Sequence, residues 1–370
     1  MHFEPRPVRV ALFVASAILT VYGLIILHST TLPMSQGQSF VAKQLIWLAT
    51  ALCCSGVFAF INLNKLENYA YWIAGLTVFL LALVLIPGVS RCVKGAHRWI
   101  ELGDLRLQPS EPAKLGFVIF FAYFLSHHVN HLKSFTKGFL RPIMVVGLFC
   151  SLLILEPDFG TTALFGCVAF ILLFTKGVKL RFIIPAIFLA VLVFGTAIYF
   201  NPVRFNRITA FLDLDNNRLS GAYQLWQSLI SFSQGGWLGS GLGEGRQQFF
   251  FLPEAHTDFI GAILAEELGL IHVFIVLACF ITIAFSGLKI TRNQCQPFLF
   301  FIGLGTVCFL SIQAVLNLCI ITGLLPTKGL ALPFLSYGGS NLVTSFCFIG
   351  ILFNLSRSIY SPLNDIHRWK

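Results

Sequence analysis

The chain has 370 residues, of which 56% are hydrophobic and only 11% are charged. So much apolar material excludes an ordinary soluble domain and indicates a polytopic helical membrane protein. The net charge of +10 does not indicate a nucleic-acid partner, because the basic residues are scattered through short segments between apolar runs, as at the cytoplasmic edge of a membrane.

Apolar runs follow one another along the whole chain, and each is predicted to cross a hydrocarbon core about 30 Å thick. They cover about residues 8–27, 41–61, 69–86, 109–126, 139–155, 159–174, 182–200, 259–285, 298–325 and 338–355. The first run lacks a small-residue cleavage site, so we expect a retained helix and not a signal peptide. The pattern predicts an all-α polytopic membrane protein with about ten transmembrane helices, in a single domain over residues 1–370.

The distribution of Lys and Arg predicts the orientation of these helices. Placing both termini in the cytoplasm puts most basic residues in the inner segments, together with only three acids, Glu4, Glu67 and Asp365. Residues 88–108 and 201–257 are then extracytoplasmic, and the second segment is the large loop between helices 7 and 8. Within it, residues 223–234 have apolar side chains at helical spacing, which predicts an amphipathic helix lying in the membrane interface.

Four polar features have ordinary structural interpretations. The glycine-rich run at 239–245 lacks the Gly-Lys-Ser/Thr ending of a phosphate loop, so it predicts a flexible turn. Ser336 is not part of a Gly-x-Ser-x-Gly motif and is expected to pack or to cap a helix start. His127, His128 and His131 have no carboxylate partner nearby in sequence, which favours an inner loop over a metal site. The ten cysteines lie mostly in apolar runs without metal-ligand spacing and are interpreted as small buried side chains.

Carboxylates at the ends of the predicted helices carry more information. Glu111 and Lys114 are three residues apart near the start of the fourth helix, and two interpretations stay open. They form an internal ion pair, or Lys114 and Arg106 hold a phosphate group at the membrane edge. Asp158, in the turn before the sixth helix, is expected either to cap that helix or to contact a substrate.

Asp258 stands directly before a long apolar run and is the strongest candidate. One interpretation makes it the N-cap of the following helix, with Glu254 and His256 binding nearby amides. The other makes it a catalytic carboxylate, since acids at membrane depth are costly and mark functional sites. If Asp258 belongs to the helix, small residues at 262, 265 and 269 line its face, which predicts a tightly packed cleft.

The three acidic segments that carry Glu111, Asp158 and Asp258 all fall on the predicted outer face, together with Arg98 and Lys328. Acids and bases around a cavity at the membrane edge suit a substrate that is lipid-linked and bears phosphate. Such a substrate carries its own leaving group, so no nucleotide site is needed.

An ordered set of motifs resembles the bacterial SEDS family (shape, elongation, division and sporulation), from the first helix to the last. The motifs are KGAHRWI (94–100), QPSE (108–111), PDFGT (157–161), YQ with QS (223–228), GSGLG (239–243), LPEAHTDFI (252–260), EELG (266–269) and SYGGS (336–340). LPTKGL (325–330) and the Ala-His of LPEAHTD resemble the cell-division branch more than the elongation branch. Departures from the family pattern are Glu156 for Gln, Gly261 for Phe, Pro112 for a larger apolar residue, and Asn341 for Ser.

The resemblance implies a peptidoglycan glycosyltransferase that polymerises lipid II at the outer face of the bacterial cytoplasmic membrane, during septal wall synthesis. It implies that Asp258 is the catalytic general base, and that Arg106 and Lys114 are the basic pair of the fourth helix. The residues expected to contact substrate are Arg98, Trp99, Arg106, Glu111, Lys114, Asp158, Glu254, His256, Thr257, Lys328 and Ser336. The expected partners are a class B penicillin-binding transpeptidase and other divisome membrane proteins.

Three alternatives stay open at the level of sequence. The chain could be a lipid II flippase, since polytopic helices with intramembrane acids also suit transporters. It could be an elongation-specific polymerase or a non-catalytic scaffold for a septal partner. Dependence on a divalent cation such as Mg²⁺ or Mn²⁺ is also left open.

Overall fold

The computed structural model describes residues 5–32, 37–86, 90–93, 96–102, 105–127, 139–247 and 251–358. The helices of these segments are α1 Pro5–Thr31, α2 Gly37–Phe60, α3 Leu63–Asn68, α4 Ala70–Val84, α5 Ser110–His127, α6 Arg141–Leu155, α7 Phe159–Thr175, α8 Leu180–Tyr199, α9 Pro202–Leu212, α10 Tyr223–Gly235, α11 Ile260–Leu268, α12 Leu270–Arg292, α13 Pro297–Ile321 and α14 Gly339–Ser358. The strands are β1 Ser90–Val93, β2 Ala96–Leu102 and β3 Leu105–Leu107. His128 and His131 lie outside the described residues.

The predicted polytopic helical fold is confirmed. Among the described residues, α1, α2, α8, α12, α13 and α14 are long and apolar enough to cross a membrane, and α4, α6 and α7 are shorter apolar helices. The fourth predicted span corresponds to α5, which is less apolar because Glu111 and Lys114 lie in its first turns. The helix predicted at 223–234 is α10.

The centre of the bundle is formed by α5, α13 and α14. Most of the apolar length of α13 and α14 is buried, whereas only 6% of α8 is buried. Phe117 of α5, Phe165 of α7 and Phe309 of α13 meet with ring centroids 5.0–6.1 Å apart. Large aromatic side chains therefore fix the central helices, while α8 stays at the periphery and exposes its side chains to lipid.

The connections separate into two sets at opposite ends of the bundle, as the Lys and Arg pattern predicts. At the outer end, Arg98 of β2 donates to the backbone oxygen of Glu156 (3.2 Å), which joins the first outer segment to the turn before α7. At the inner end, Asn354 of α14 donates to the backbone oxygens of Phe58 (2.9 Å) and Ile61 (2.6 Å).

One sequence-based expectation about local structure is wrong. The single span expected at 259–285 is broken at Gly269, whose φ of 84° ends α11 before α12 begins. Asp258 lies in the turn before α11, so it does not share a helix face with Ala262 and Ala265. The first outer segment also contains a small antiparallel sheet, β1-β2-β3, which the sequence did not predict.

The sheet positions side chains of that segment against the helix ends. Trp99 of β2 pairs with Arg91 of β1, and Glu101 of β2 pairs with Arg106 of β3. Just after β3, the backbone N–H of Gln108 donates to the hydroxyl of Ser340 at the start of α14 (3.0 Å). The sheet is therefore held over the outer ends of α5 and α14.

Candidate functional site

The turn that carries Asp258 is built by its own polar residues. The backbone N–H groups of Thr257 and Phe259 both donate to the backbone oxygen of Glu254, at 3.1 and 3.3 Å. The Thr257 hydroxyl donates to the Glu254 carboxylate at 2.8 Å. The N-cap of α11 is Phe259, with no side-chain cap bond, so the structure does not support Asp258 as the cap of this helix.

A second loop, residues 326–332, closes over this turn. Asn317 of α13 donates through Nδ2 to the backbone oxygens of Asp258 (2.8 Å) and Leu330 (2.6 Å), and so joins the two segments. Gly329 lies directly against the half-buried Asp258 side chain, since a β-carbon built on Gly329 would be 2.9 Å from Oδ2 of Asp258. The Asp258 carboxylate therefore packs so closely against Gly329 that a β-carbon there would require the carboxylate to move.

The turn between α6 and α7 holds two more acids. Asp158 is buried and caps α7, because its carboxylate accepts from the backbone N–H of Thr161 (3.3 Å) and from the Thr161 hydroxyl (2.9 Å). This is the capping alternative for Asp158. Glu156 is fully buried, and neither carboxylate oxygen has a hydrogen-bond partner. Burial and the neighbouring charge of Asp158 raise the pKa of Glu156 to about 8, while Arg98 acts to lower it.

Three half-buried cations converge on the same turn. Arg98 and Arg204 both donate to the backbone oxygen of Pro157, the latter at 2.7 Å. Burial lowers the pKa of Lys328. The charge of Asp158 raises this pKa and the charge of Arg204 lowers it, which shows that Lys328 lies near both of these residues. Gly329 follows Lys328 directly, so the 326–332 loop carries both the contact with Asp258 and a cation near the turn before α7. We call Arg98, Arg204 and Lys328 the cation cluster.

The cation cluster also contacts the most lipid-exposed helix. The ammonium group of Lys328 lies 4.8 Å from the ring centroid of Phe194 on α8. Phe194 in turn packs against Phe159, at 5.1 Å between ring centroids, and the Arg204 guanidinium lies 3.6 Å from the centroid of the Phe159 ring. Cations are therefore held next to aromatic rings at the lipid boundary.

The basic pair expected from the fourth helix is not assembled as a phosphate site. Lys114 is 1% exposed and donates to Glu111 and to Gln313 of α13, each at 2.7 Å. Arg106 is exposed and pairs with Glu101 at 3.2 Å. The structure thus favours the internal ion pair, one of the two interpretations that the sequence left open for Lys114.

The remaining candidates surround the Asp258 turn. The backbone oxygen of His256 accepts from the N–H of Tyr337 (2.9 Å), and the rings of both residues contact Phe40. Ser336 is fully buried and accepts from the backbone N–H of Leu332 (2.7 Å), so it holds the 326–332 loop. Trp99 is half-buried on β2. His256 therefore joins the Asp258 turn to Tyr337, and Ser336 holds the end of the 326–332 loop.

Backbone N–H groups in and just after the glycine-rich run donate to two carboxylates of the same chain. Glu266 of α11 accepts from the backbone N–H groups of Arg246 (2.7 Å) and Gln247 (3.1 Å). Glu267 accepts from the N–H of Gly243 (3.1 Å) and from the hydroxyl of Ser29 (2.6 Å). The run is therefore an ordered anion-binding turn with an internal anion, and not the flexible turn that its sequence suggests.

Two residues of the site were not expected from the sequence. Arg204 stands in an unremarkable stretch of the large outer loop, and only the fold brings α9 to the turn before α7. Asn317 did leave a signal, because Gln313 and Asn317 are two amides four residues apart in an otherwise apolar helix, where polar side chains point to a buried contact.

No metal site is evident in the part of the chain that the structure describes: no three His, Cys, Asp or Glu side chains converge there as metal ligands.

The fold and the site together define a polytopic membrane protein whose outer face gathers acids and cations beside a lipid-exposed helix. The chain belongs to the FtsW, RodA and SpoVE family, since the family model described as "Cell cycle protein" matches residues 9–361.

Relatives of this chain are named probable peptidoglycan glycosyltransferase FtsW. The protein of Thioalkalivibrio sp. (strain K90mix) is 38% identical over 363 residues, which is 96% of this chain and 91% of the relative. The protein of Geobacter sulfurreducens (strain DL-1 / KN400) is 37% identical over 343 residues, which is 91% of this chain and 92% of the relative.

Solved structures have the same fold. A chain from the structure described as "Structural coordination of polymerization and crosslinking by a peptidoglycan synthase complex" matches with a TM-score of 0.79 and 26% identity, over 95% of this chain and 98% of that chain. The rod shape determining protein RodA of Thermus thermophilus matches with a TM-score of 0.70 and 24% identity, over 94% of this chain and 96% of that chain, which supports the fold alone.

Proposed function

We propose that this protein is a peptidoglycan glycosyltransferase that polymerises lipid II into glycan strands at the outer face of the bacterial cytoplasmic membrane. The relatives of the chain bear this activity in their names. The observation that carries the proposal is the contact between the Asp258 carboxylate and Gly329. Gly329 directly follows Lys328, which belongs to the cation cluster.

Asp258 acts as the general base of the reaction. The 4-hydroxyl of the acceptor sugar attacks the anomeric carbon of the donor N-acetylmuramic acid and transfers its proton to the Asp258 carboxylate. The new glycosidic bond forms as the bond to undecaprenyl diphosphate breaks. An α-linked donor gives a β-linked product by a single inversion, so one base is sufficient.

The cation cluster stabilises the departing diphosphate. The leaving group takes both electrons of the broken bond, and preorganised cations at that position lower the barrier. Arg98, Arg204 and Lys328 suit this role better than Lys114, because Lys114 is buried in an ion pair. Their position beside Phe194 supports a diphosphate site at the lipid boundary, where the polyprenyl tail can lie along the exposed surface of α8.

The cell-division role belongs to the same proposal. The FtsW names of the relatives favour septal wall synthesis over elongation. Likeness to a chain of a peptidoglycan synthase complex favours a membrane-bound transpeptidase as partner, here a class B penicillin-binding protein with other divisome proteins.

Purified protein with labelled lipid II tests the proposal, with and without the transpeptidase. Wild type is expected to form polymer, and Asp258→Asn, which keeps the shape but removes the base, is expected to lose activity by about a hundredfold or more. Asp215→Asn is the matched control, because Asp215 pairs with Arg218 on the exposed surface of the outer loop. Polymer formation by Asp258→Asn at the wild-type rate would exclude Asp258 as the base.

The flippase alternative gives a different result in the same preparation. Sealed vesicles would then show protected transfer of lipid II without polymer. Polymer in detergent, where no sealed compartment exists, supports the enzyme.

A further inference from the structure

We propose that Asn317 and Gln313 are positioning residues that fix the Asp258 turn relative to the 326–332 loop. The buried Glu111–Lys114 pair contributes by orienting Gln313. This inference rests on the proposed function of Asp258. It assigns these four polar residues of the membrane core to the catalytic geometry, although none of them needs to touch substrate.

Asn317 joins the two halves of the site with one amide group. Its Nδ2 donates to the backbone oxygens of Asp258 and Leu330, and its side chain is 1% exposed. Both partners are acceptors, so only the nitrogen of the amide can occupy this position. With both protons of the amide used, Asp258 cannot move away from Leu330 without leaving a buried donor unpaired.

Gln313 lies one helical turn earlier on α13 and holds the next residue of the loop. Its Nε2 donates to the backbone oxygen of Ala331 (2.7 Å) and to Oδ1 of Asn341 (3.1 Å). Asn341 donates to the backbone oxygen of Leu332 (3.4 Å). Three consecutive carbonyls of the loop are therefore held by three amide side chains.

The buried ion pair fixes which way Gln313 points. Lys114 has only donors, so its contact at 2.7 Å must be with Oε1 of Gln313, and Nε2 is then directed at Ala331. Glu111 holds the Lys114 ammonium from the other side at 2.7 Å. A charged pair that is costly to bury thus orients the amide that supports the loop beside Asp258.

The rate of the reaction is expected to depend on the position of the 326–332 loop, because the Asp258 carboxylate packs closely against it. Gly329 touches the Asp258 side chain and lies between Lys328 and Leu330, so a shift of the loop changes both the space around the Asp258 carboxylate and the position of the Lys328 backbone. A misplacement of about 1 Å can cost on the order of a hundredfold in rate. The amides are therefore expected to affect turnover more than substrate binding.

The experiment compares Asn317→Ala, Asn317→Asp and Gln313→Glu with Asn354→Ala in full-length protein. Asn354 is a chemically matched control, since its Nδ2 also donates to two backbone oxygens, but at the inner end of the bundle. Gln313→Glu keeps an acceptor for Lys114 and loses the donor to Ala331. The two Asn317 variants and Gln313→Glu are each expected to lower kcat on the order of ten- to a hundredfold. Their KM for lipid II is expected to stay within about twofold of the wild-type value.

Hydrogen–deuterium exchange gives a readout that does not depend on activity. The N–H groups of Thr257 and Phe259 are bonded within the Asp258 turn, and the N–H of Tyr337 is bonded to His256 of the same turn. All three are expected to exchange faster in the Asn317 and Gln313 variants but not in Asn354→Ala. Equal kcat losses for Asn317→Ala and Asn354→Ala, or unchanged exchange at both loops, would overturn the inference. Absence of polymer from wild type would contradict the proposed function instead, and the exchange data would still decide the positioning role.

Discussion

The carboxylate of Asp258 and the backbone of Gly329 are in direct contact, although 71 residues of chain separate them. A β-carbon on Gly329 would lie 2.9 Å from Oδ2 of Asp258, closer than such atoms normally approach. The nearest obstacle is the end of a flexible side chain and not backbone. The fold can therefore accommodate an added methyl group, but only by moving the carboxylate.

Gly329→Ala is accordingly expected to reduce lipid II polymerisation on the order of tenfold or more while leaving the melting temperature nearly unchanged. Gly338→Ala is the control, because a β-carbon there meets its nearest neighbour, Asn341 Cβ, at 3.9 Å. Initial polymerisation rates and thermal unfolding of both variants check the expectation. Equal activity of the two alanine variants would show that the contact with Asp258 does not matter.

Arg204→Gln is expected to lower kcat/KM for lipid II by about tenfold or more, since it removes one charge from the cation cluster while retaining an amide that can bond Pro157. Arg218→Gln serves as the comparison, because Arg218 pairs with Asp215 on the exposed surface and lies over the ring of Trp226. An exposed pair contributes little, so its effect should stay within about twofold. Similar losses for both variants would place the diphosphate elsewhere.

Glu156→Gln is expected to make the protein more stable at alkaline pH. The pKa of Glu156 rises from its ordinary value of 4.5 to about 8 on folding, chiefly because of burial. The folded state thus holds a proton that the unfolded state releases, so stability is fully present below about pH 4.5 and falls as pH rises through about 8. The fall is at most about 1.4 kcal/mol per pH unit.

Thermal unfolding across this pH range tests the expectation. Wild type should lose melting temperature between about pH 5 and about pH 9, and Glu156→Gln should lose less. Glu101→Gln changes an exposed carboxylate and should behave like wild type. The prediction fails if wild type and Glu156→Gln have parallel pH profiles.

Lys114→Met is expected to lower the free energy of unfolding by about 3–5 kcal/mol, because it leaves the Glu111 carboxylate buried without its ammonium partner. The double variant Glu111→Gln with Lys114→Met removes the stranded charge and should recover most of that loss. If Lys114 instead bound phosphate directly, Lys114→Met would raise KM with little loss of stability. Unfolding and kinetics measured on the same preparations separate the two roles.

Most of the helical architecture was predictable because apolar runs of membrane length have few alternative structures. The helix boundaries of α7 and α8 differ from the expected spans by only one or two residues. The break at Gly269 was missed because α11 and α12 are both apolar, so composition does not change across it. The strands β1 to β3 were missed because they are short and lie in a segment with no strong alternation.

The candidate site was predictable in part. Asp258 and Lys328 stand out because charged groups are rare beside apolar runs, and the structure relates them through Gly329, which contacts Asp258 and directly follows Lys328. Arg98 and Lys328 were expected on this face, but Arg204 was not, since only the fold brings α9 to the turn before α7. Lys114 could be interpreted in two ways because its spacing from Glu111 fits either role. The buried partner that decides between them, Gln313, is on another helix.

The bonds between the glycine-rich turn and α11 have a mechanical consequence. Glu266 and Glu267 anchor backbone amides of residues 243–247 to the helix that begins two residues after Asp258. A force applied to that part of the outer loop would therefore be transmitted through buried carboxylates to α11 and to the turn that holds the proposed base, Asp258. A protein that binds this loop from outside could thereby change the tilt of α11 and the orientation of the Asp258 carboxylate without entering the membrane.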